Sequence, residues 1–177
     1  MRLYVMRHGP AEDRAATGRD FDRVLTAQGR ELVAQAARAL CAARRAVTMG
    51  ALPPNPRLKA VTMAPWRVLS SPFHRARETA EIVAAMSPGA VDVELDDALS
   101  ADASLPLDLV RRLAAEGVDA LLVGHQPIVE ELARELVHPA RVPFPGGFRT
   151  AVVVTFEHVP PDRWHAAAIL DPRAPDP

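Results

Sequence analysis

Two histidines, His8 and His125, each follow an uninterrupted apolar run, 3–6 and 120–123, with one residue between the run and the histidine. Glycine adjoins each histidine, and proline follows within two residues. An apolar run that ends abruptly in polar residues and a helix breaker is typical of a buried strand that delivers side chains to a sheet edge. In open α/β folds that edge is where ligands bind. An imidazole there could act as a nucleophile, a proton carrier or a metal ligand.

Arginines accompany these histidines. Arg7 directly precedes His8, and Arg75 lies in the first turn of a helix that Ser71 and Pro72 introduce after a short strand. Arginine forks and helix N-termini are the groups that bind phosphoryl oxygens. We therefore expect the strand ends to form an anion site, with a phosphate as the substrate group.

A metal centre is the rival use of two histidines. Catalytic zinc takes about three protein ligands, and the flanking arginines disfavour a cation, so we expect no metal and no other cofactor. Four further histidines lack such a context and are expected at the surface or in loops. They are His74, His138, His158 and His165.

The elements that must position these residues alternate along the chain. Strands are predicted at 2–7, 67–70, 91–95, 120–123, 149–157 and 164–170, and helices at 27–45, 73–87, 105–116 and 128–137. The link between the last two strands is too short for a crossover helix, so they should pair antiparallel. The predicted fold is a three-layer α/β/α sandwich whose central sheet is mostly parallel with one antiparallel strand.

The 177 residues are expected to form a single domain, 1–177, with a proline-rich loop insertion at 47–65 and a frayed tail after residue 171. The net charge of −1 argues against nucleic acid as a partner. Neither a membrane span nor a signal sequence is recognisable, so no membrane partner is expected. The single Cys41 cannot form an internal disulfide, which fits a reducing cytoplasm.

Together and in this order, these motifs resemble the histidine phosphatase superfamily, the phosphoglycerate mutase-like fold. They are Arg7-His8-Gly9 and Gly124-His125 after strands, and Ser70-Ser71-Pro72 with Arg75-Ala76 and Thr79-Ala80. The resemblance implies that His8 is the nucleophile that accepts the phosphoryl group and passes it to water. It further implies that Arg7, Arg75 and His125 bind that group, with His125 as an imidazolium, and that Gly9 allows close approach.

The stretch 20–29, the lack of a large lid insertion and the chain ending further resemble the small bacterial phosphohistidine phosphatase branch. A phosphorylated protein histidine is then the expected substrate. A small phosphorylated metabolite is the alternative, and a non-catalytic phosphate-binding protein is a third. Many relatives have an acidic residue that donates a proton to the leaving group. Here only Asp97 and Asp102 are candidates, and an absent acid would agree with the phosphohistidine branch. The insertion at 47–65 and Val24, where the branch suggests proline, depart from its pattern.

Overall fold

The computed structural model describes residues 1–50, 66–89, 91–137, 147–161 and 163–174. The strands are β1 (Arg2–Arg7), β2 (Trp66–Ser70), β3 (Val93–Leu95), β4 (Asp119–Gly124), β5 (Val153–Val159) and β6 (Arg163–Leu170). The helices are α1 (Ala27–Gly50), α2 (His74–Met86), α3 (Leu107–Glu116) and α4 (Ile128–Leu136). Two short 3-10 helices, Asp20–Asp22 and Asp97–Leu99, lie in the connections that follow β1 and β3.

The six strands form one sheet in the order β3-β2-β4-β1-β5-β6. Strands β1 to β4 pair in parallel, and β5 is antiparallel to both of its neighbours, β1 and β6. This arrangement confirms the predicted mostly parallel sheet with one antiparallel strand. It also confirms that the last two strands pair with each other.

Alternating side chains of the central strands pack against helices on both faces of the sheet. Leu3 and Val5 of β1 belong to a buried cluster with residues of α3 and α4. Tyr4 and Met6 belong to a second cluster with residues of α1 and α2. A strand covered on both faces must be apolar throughout, which explains the uninterrupted apolar run. The three predicted layers are confirmed.

The strand register brings three chain segments to the same edge. Arg7 is opposite Gly124, and Ser70 is opposite Val123. Each ladder continues by one hydrogen bond beyond its strand. The His8 amide donates to the Gly124 carbonyl at 3.0 Å, and the Ser71 amide donates to the Val123 carbonyl at 3.0 Å. The carboxyl ends of β1, β2 and β4 therefore lie at one edge of the sheet.

Some predicted boundaries were wrong. Helix α1 continues to Gly50, past the predicted end at 45, because its alanine- and arginine-rich sequence has neither glycine nor proline between Arg30 and Met49. The predicted loop insertion at 47–65 therefore starts too early, and residues 51–65 lie outside the described residues. Strand β5 begins at Val153 and not at 149, since Ala151 has φ 64° and the backbone turns there.

At the end of the chain, the Arg173 guanidinium donates to the Thr150 carbonyl at 2.9 Å. The last three residues lie outside the described part, and the frayed tail and the single domain stay predictions. In the part that is described, no helix has both the length and the apolar character that crossing a membrane requires.

Candidate active site

His8 lies directly beyond β1 and is only 8% exposed. Its Nδ1 is 2.7 Å from the Gly9 carbonyl oxygen. A carbonyl can only accept, so Nδ1 carries the proton and donates it, which leaves the lone pair of a neutral ring on Nε2. The neighbouring backbone thus fixes the tautomer that a nucleophilic histidine needs.

Arg75, in the first turn of α2, provides the group that faces this lone pair. Its Nε donates to His8 Nε2 at 3.3 Å. Its two Nη nitrogens donate to Asp20, one to the backbone carbonyl and one to the carboxylate. The guanidinium is therefore held beside the His8 nitrogen. The sequence predicted that His8 and the first turn of this helix would meet at one edge of the sheet.

His125 lies directly beyond β4, and its ring centroid is 5.0 Å from that of His8. Its Nε2 is 2.9 Å from the Ser71 hydroxyl, which also accepts from the Phe73 amide. The hydroxyl proton has no other acceptor in the described ranges, so we infer that it goes to Nε2 and that Nδ1 carries the ring proton. That Nδ1 is buried and has no partner among the described residues.

Arg7, the last residue of β1, directs Nη1 to the Phe148 carbonyl at 3.1 Å. Its Nε is buried and, like His125 Nδ1, has no hydrogen-bond partner within the described ranges. Buried polar groups are nearly always paired, so two unpaired nitrogens on neighbouring strand ends indicate a site for an acceptor. An oxyanion would satisfy both.

Burial controls the charge of both imidazoles. The pKa of His8 is lowered to about 4, chiefly by desolvation, with the Gly9 carbonyl opposing and Arg75, Arg7 and Arg23 adding to the fall. Desolvation likewise lowers the pKa of His125 to about 3, with His8 and Arg75 contributing. Both rings are therefore neutral at pH 7 in the free protein, whereas the imidazolium predicted at His125 concerns the phosphate-bound site and stays a prediction. A bound dianion would favour the charged form.

Gly9 adjoins the nucleophile, but its contacts point to packing. A Cβ at this position would lie 2.5 Å from Val33 of α1. Its amide donates to the Thr79 hydroxyl at 3.0 Å, and that hydroxyl donates to the Arg75 carbonyl at 2.7 Å. The contacts described here explain the glycine without a phosphate, and its predicted role in phosphate binding stays a prediction.

The two candidate acids do not join this group. Asp97 begins the 3-10 helix after β3, and Asp102 lies in the turn that follows. Both are exposed, and in the described part of the chain neither forms a hydrogen bond or ion pair with His8, Arg7, Arg75 or His125. The sequence could not predict that these carboxylates lie outside the group, because the connection between β3 and α3 has no periodic pattern that indicates its path.

Several contacts at the site were not predicted from the sequence. Asp20 holds Arg75, and Ser71 bonds His125. Three aromatic side chains, Phe21, Phe73 and His74, form what we call the aromatic rim. Phe21 lies 5.0 Å from Phe73 and 5.4 Å from His74, and Phe73 lies 5.0 Å from His125. Phe21 and Asp20 lie in a loop without periodicity, so no pattern in the sequence indicated these contacts.

No model of a protein family matches the chain. An uncharacterized protein of Picosynechococcus sp. is 35% identical over 142 residues, which cover 77% of this chain and 73% of that protein. The putative phosphohistidine phosphatase SixA from Agrobacterium tumefaciens is 26% identical, with a TM-score of 0.70 and 98% of each chain covered. The chain belongs to the histidine phosphatase superfamily.

A further solved structure is similar in fold to this histidine phosphatase superfamily member. The protein histidine phosphatase SixA complexed with tungstate has a TM-score of 0.73 at 24% identity, and 97% of each chain is covered. Among the described residues of the present chain, no group of three or more His, Cys, Asp or Glu side chains could hold a metal ion. The side chains that meet beyond β1 and β4 are the two imidazoles and the Arg75 guanidinium.

Proposed function

We propose that this protein is a metal-independent phosphohydrolase that works through a phosphohistidine at His8 and acts on a phosphorylated protein histidine. One observation supports this above the others. The lone pair of a neutral His8 is fixed on Nε2 by the Gly9 carbonyl, and a buried arginine N–H faces that same nitrogen. A nucleophile and a donor for the phosphoryl oxygens therefore lie side by side.

The reaction proceeds in two displacements. The Nε2 lone pair of His8 attacks phosphorus and forms an N–P bond, while the bond to the leaving group breaks and its electron pair goes to the leaving atom. Water then attacks the phosphohistidine, which releases phosphate and returns the lone pair to His8. Arg75 Nε, Arg7 Nε and His125 Nδ1 donate to the phosphoryl oxygens, where the negative charge is concentrated.

The leaving group decides how much acid catalysis is needed. A phosphohistidine whose other ring nitrogen is protonated leaves as neutral imidazole, whereas a phosphate ester must release an alkoxide that needs a proton. Asp97 and Asp102, the candidate acids, are exposed and, among the described residues, form no hydrogen bond or ion pair with His8, Arg7, Arg75 or His125. The aromatic rim adds flat, half-buried rings against which a planar imidazole can stack. Both features favour the phosphoramidate over an ester.

The Agrobacterium protein, which matches over nearly the whole chain, is named a putative phosphohistidine phosphatase. Cys41 is buried and unpaired, which fits the cytoplasm that we propose as the location.

The test is to trap the intermediate. The protein is incubated with a radiolabelled phosphohistidine peptide and quenched in alkali, in which a histidine N–P bond survives and an ester to serine is lost. We expect label on the wild-type chain, undiminished with a chelator present, and none on His8→Ala. His158→Gln, at the other end of the sheet, is the matched control and should label normally.

Substrate rates separate the alternatives. Hydrolysis of the peptide should exceed that of a panel of sugar and nucleotide phosphates. A faster metabolite would favour the small-molecule alternative, and phosphate binding without any turnover would favour a binding protein. Turnover by His8→Ala at the wild-type rate would refute the proposed nucleophile.

A further inference from the structure

Asp20 opens the short 3-10 helix between β1 and α1, and its carboxylate bridges two guanidiniums. Arg75 Nη1 donates to the Asp20 carbonyl at 2.8 Å, and Nη2 donates to Oδ2 at 2.9 Å. The second carboxylate oxygen, Oδ1, accepts from Arg23 Nη1 at 2.7 Å. Asp20 is thus attached to Arg75 by its backbone and its side chain at once.

These contacts determine which edge of the Arg75 guanidinium faces the nucleophile. The group is planar, and its N–H bonds point in fixed directions. Asp20 takes one N–H from each Nη, which leaves Nε to donate to His8 Nε2 at 3.3 Å. Its flat face lies 4.9 Å from the Phe73 ring centroid. Asp20 forms the one ion pair that the described residues give to Arg75.

We propose that Asp20 is a positioning residue for the phosphoryl transfer. Asp20 binds the two Nη nitrogens of Arg75, so that the Nε–H points at His8 Nε2, the atom that receives the phosphoryl group. Asp20 itself touches neither the phosphoryl group nor the nucleophile, and it acts through Arg75. This inference rests on the proposed function, because positioning matters only if His8 is the atom attacked.

If Asp20 acted only through its charge, its removal would have the opposite effect on activity. A carboxylate beside a phosphate site repels the substrate, so its removal would then strengthen phosphate binding and raise activity. The hydrogen bonds from Arg23 and then Arg75 lower the pKa of Asp20, which keeps it charged at neutral pH. Both oxygens of that charge are already paired with guanidiniums, and we therefore expect positioning to outweigh repulsion.

The experiment compares Asp20→Asn and Asp20→Ala with Asp22→Asn. Asp22 lies in the same turn but bonds Thr17 and Arg19, so it is a matched control. We expect kcat/KM to fall about tenfold in Asp20→Asn, which keeps one acceptor, and about a hundredfold in Asp20→Ala, mostly in kcat. Asp22→Asn should stay within about twofold. Loss in all three alike, or a gain in the Asp20 variants, would overturn the proposal.

A double-mutant cycle identifies the partner. If Asp20 acts through Arg75, then Asp20→Ala should cause no further loss in an Arg75→Ala background, since the group to be positioned is gone. An equal loss in both backgrounds would show that Asp20 only holds the loop together. Thermal melting of each variant checks that the fold is intact.

Binding of inorganic phosphate keeps this inference separate from the proposed function. Should the wild-type chain turn over no phosphorylated compound, the proposed function fails, and calorimetry with inorganic phosphate still tests Asp20. About tenfold weaker binding by Asp20→Ala than by Asp22→Asn supports positioning. Equal or tighter binding contradicts it.

Discussion

Histidines lie at both edges of the sheet, and in the described part of the chain it is at the carboxyl edge that a histidine is hydrogen-bonded to an arginine side chain. At the carboxyl edge, His8 and His125 are nearly buried and lie 5.0 Å apart between guanidiniums. At the opposite edge, the His158 ring lies 4.7 Å from the Trp164 ring, tilted by 43°, beside a cavity of about 650 Å³, and the neighbouring His165 is exposed.

The difference lies in strand direction and burial and not in residue type. Parallel strands end together at the carboxyl edge, so separate segments bring His8, Arg75 and His125 into contact. The amino edge receives its histidines from one hairpin, β5 and β6, and Arg111 there is paired with the exposed Asp108. A catalytic site forms where strand ends converge and exclude water, because electrostatic interactions between side chains are stronger in a water-excluded region.

The largest expected effect of this comparison is on catalysis. His125→Ala removes one buried donor, so we expect kcat on a phosphohistidine peptide to fall by about 10²- to 10³-fold. His165→Ala, at the amino edge, should leave kcat within about twofold. Steady-state kinetics measures both. A loss below tenfold for His125→Ala would show that it contributes little to transition-state stabilisation.

The second effect is on stability. The pKa of His8 is lowered from 6.5 to about 4, so the unfolded chain binds more protons between these values and stability falls as pH drops through this window. His8→Gln should lose less stability than wild type between pH 7 and about pH 4, by roughly 3 kcal/mol. Urea unfolding at each pH measures this difference.

Comparison with wild type tests the role of burial. If His8→Gln and the wild-type chain gave the same dependence of stability on pH, burial would not be what keeps His8 neutral.

The smallest expected effect concerns the predicted acids. Asp97→Ala and Asp102→Ala should each change kcat/KM on the phosphohistidine peptide by less than about twofold, because both carboxylates are exposed and a phosphohistidine leaving group needs little acid catalysis. The same variants are assayed on a phosphate ester. A large loss confined to the ester would mean that one of these residues reaches the leaving group after all.

Much of the site could be predicted because strand ends have a strong local signal. The apolar runs before His8 and His125, and the serine and proline before Arg75, are short patterns with a direct structural meaning. The parallel sheet then brings these residues together. The fold and the contact between His8 and Arg75 followed from local patterns combined with one topological rule.

Other features depend on contacts that no local pattern reveals. Asp20 meets Arg75 across 55 residues of sequence. The neutral state of His125 follows from burial and nearby charges, which appear only once the chain is folded. The turn at Ala151 requires a positive φ, a conformation that alanine seldom adopts and a sequence pattern does not indicate.

The pairing of Arg7 with Gly124 means that the number of residues in β1 and β4 sets the distance between the two histidines. Each histidine is the next residue after that pair, so deleting one residue inside β4 would draw His125 about 3.3 Å back along the strand and turn it to the other face. Exchanging one apolar residue for another in the strand has no such consequence. Natural variants of this protein should therefore exchange one apolar residue for another in β1 and β4, while insertions and deletions collect in the loops.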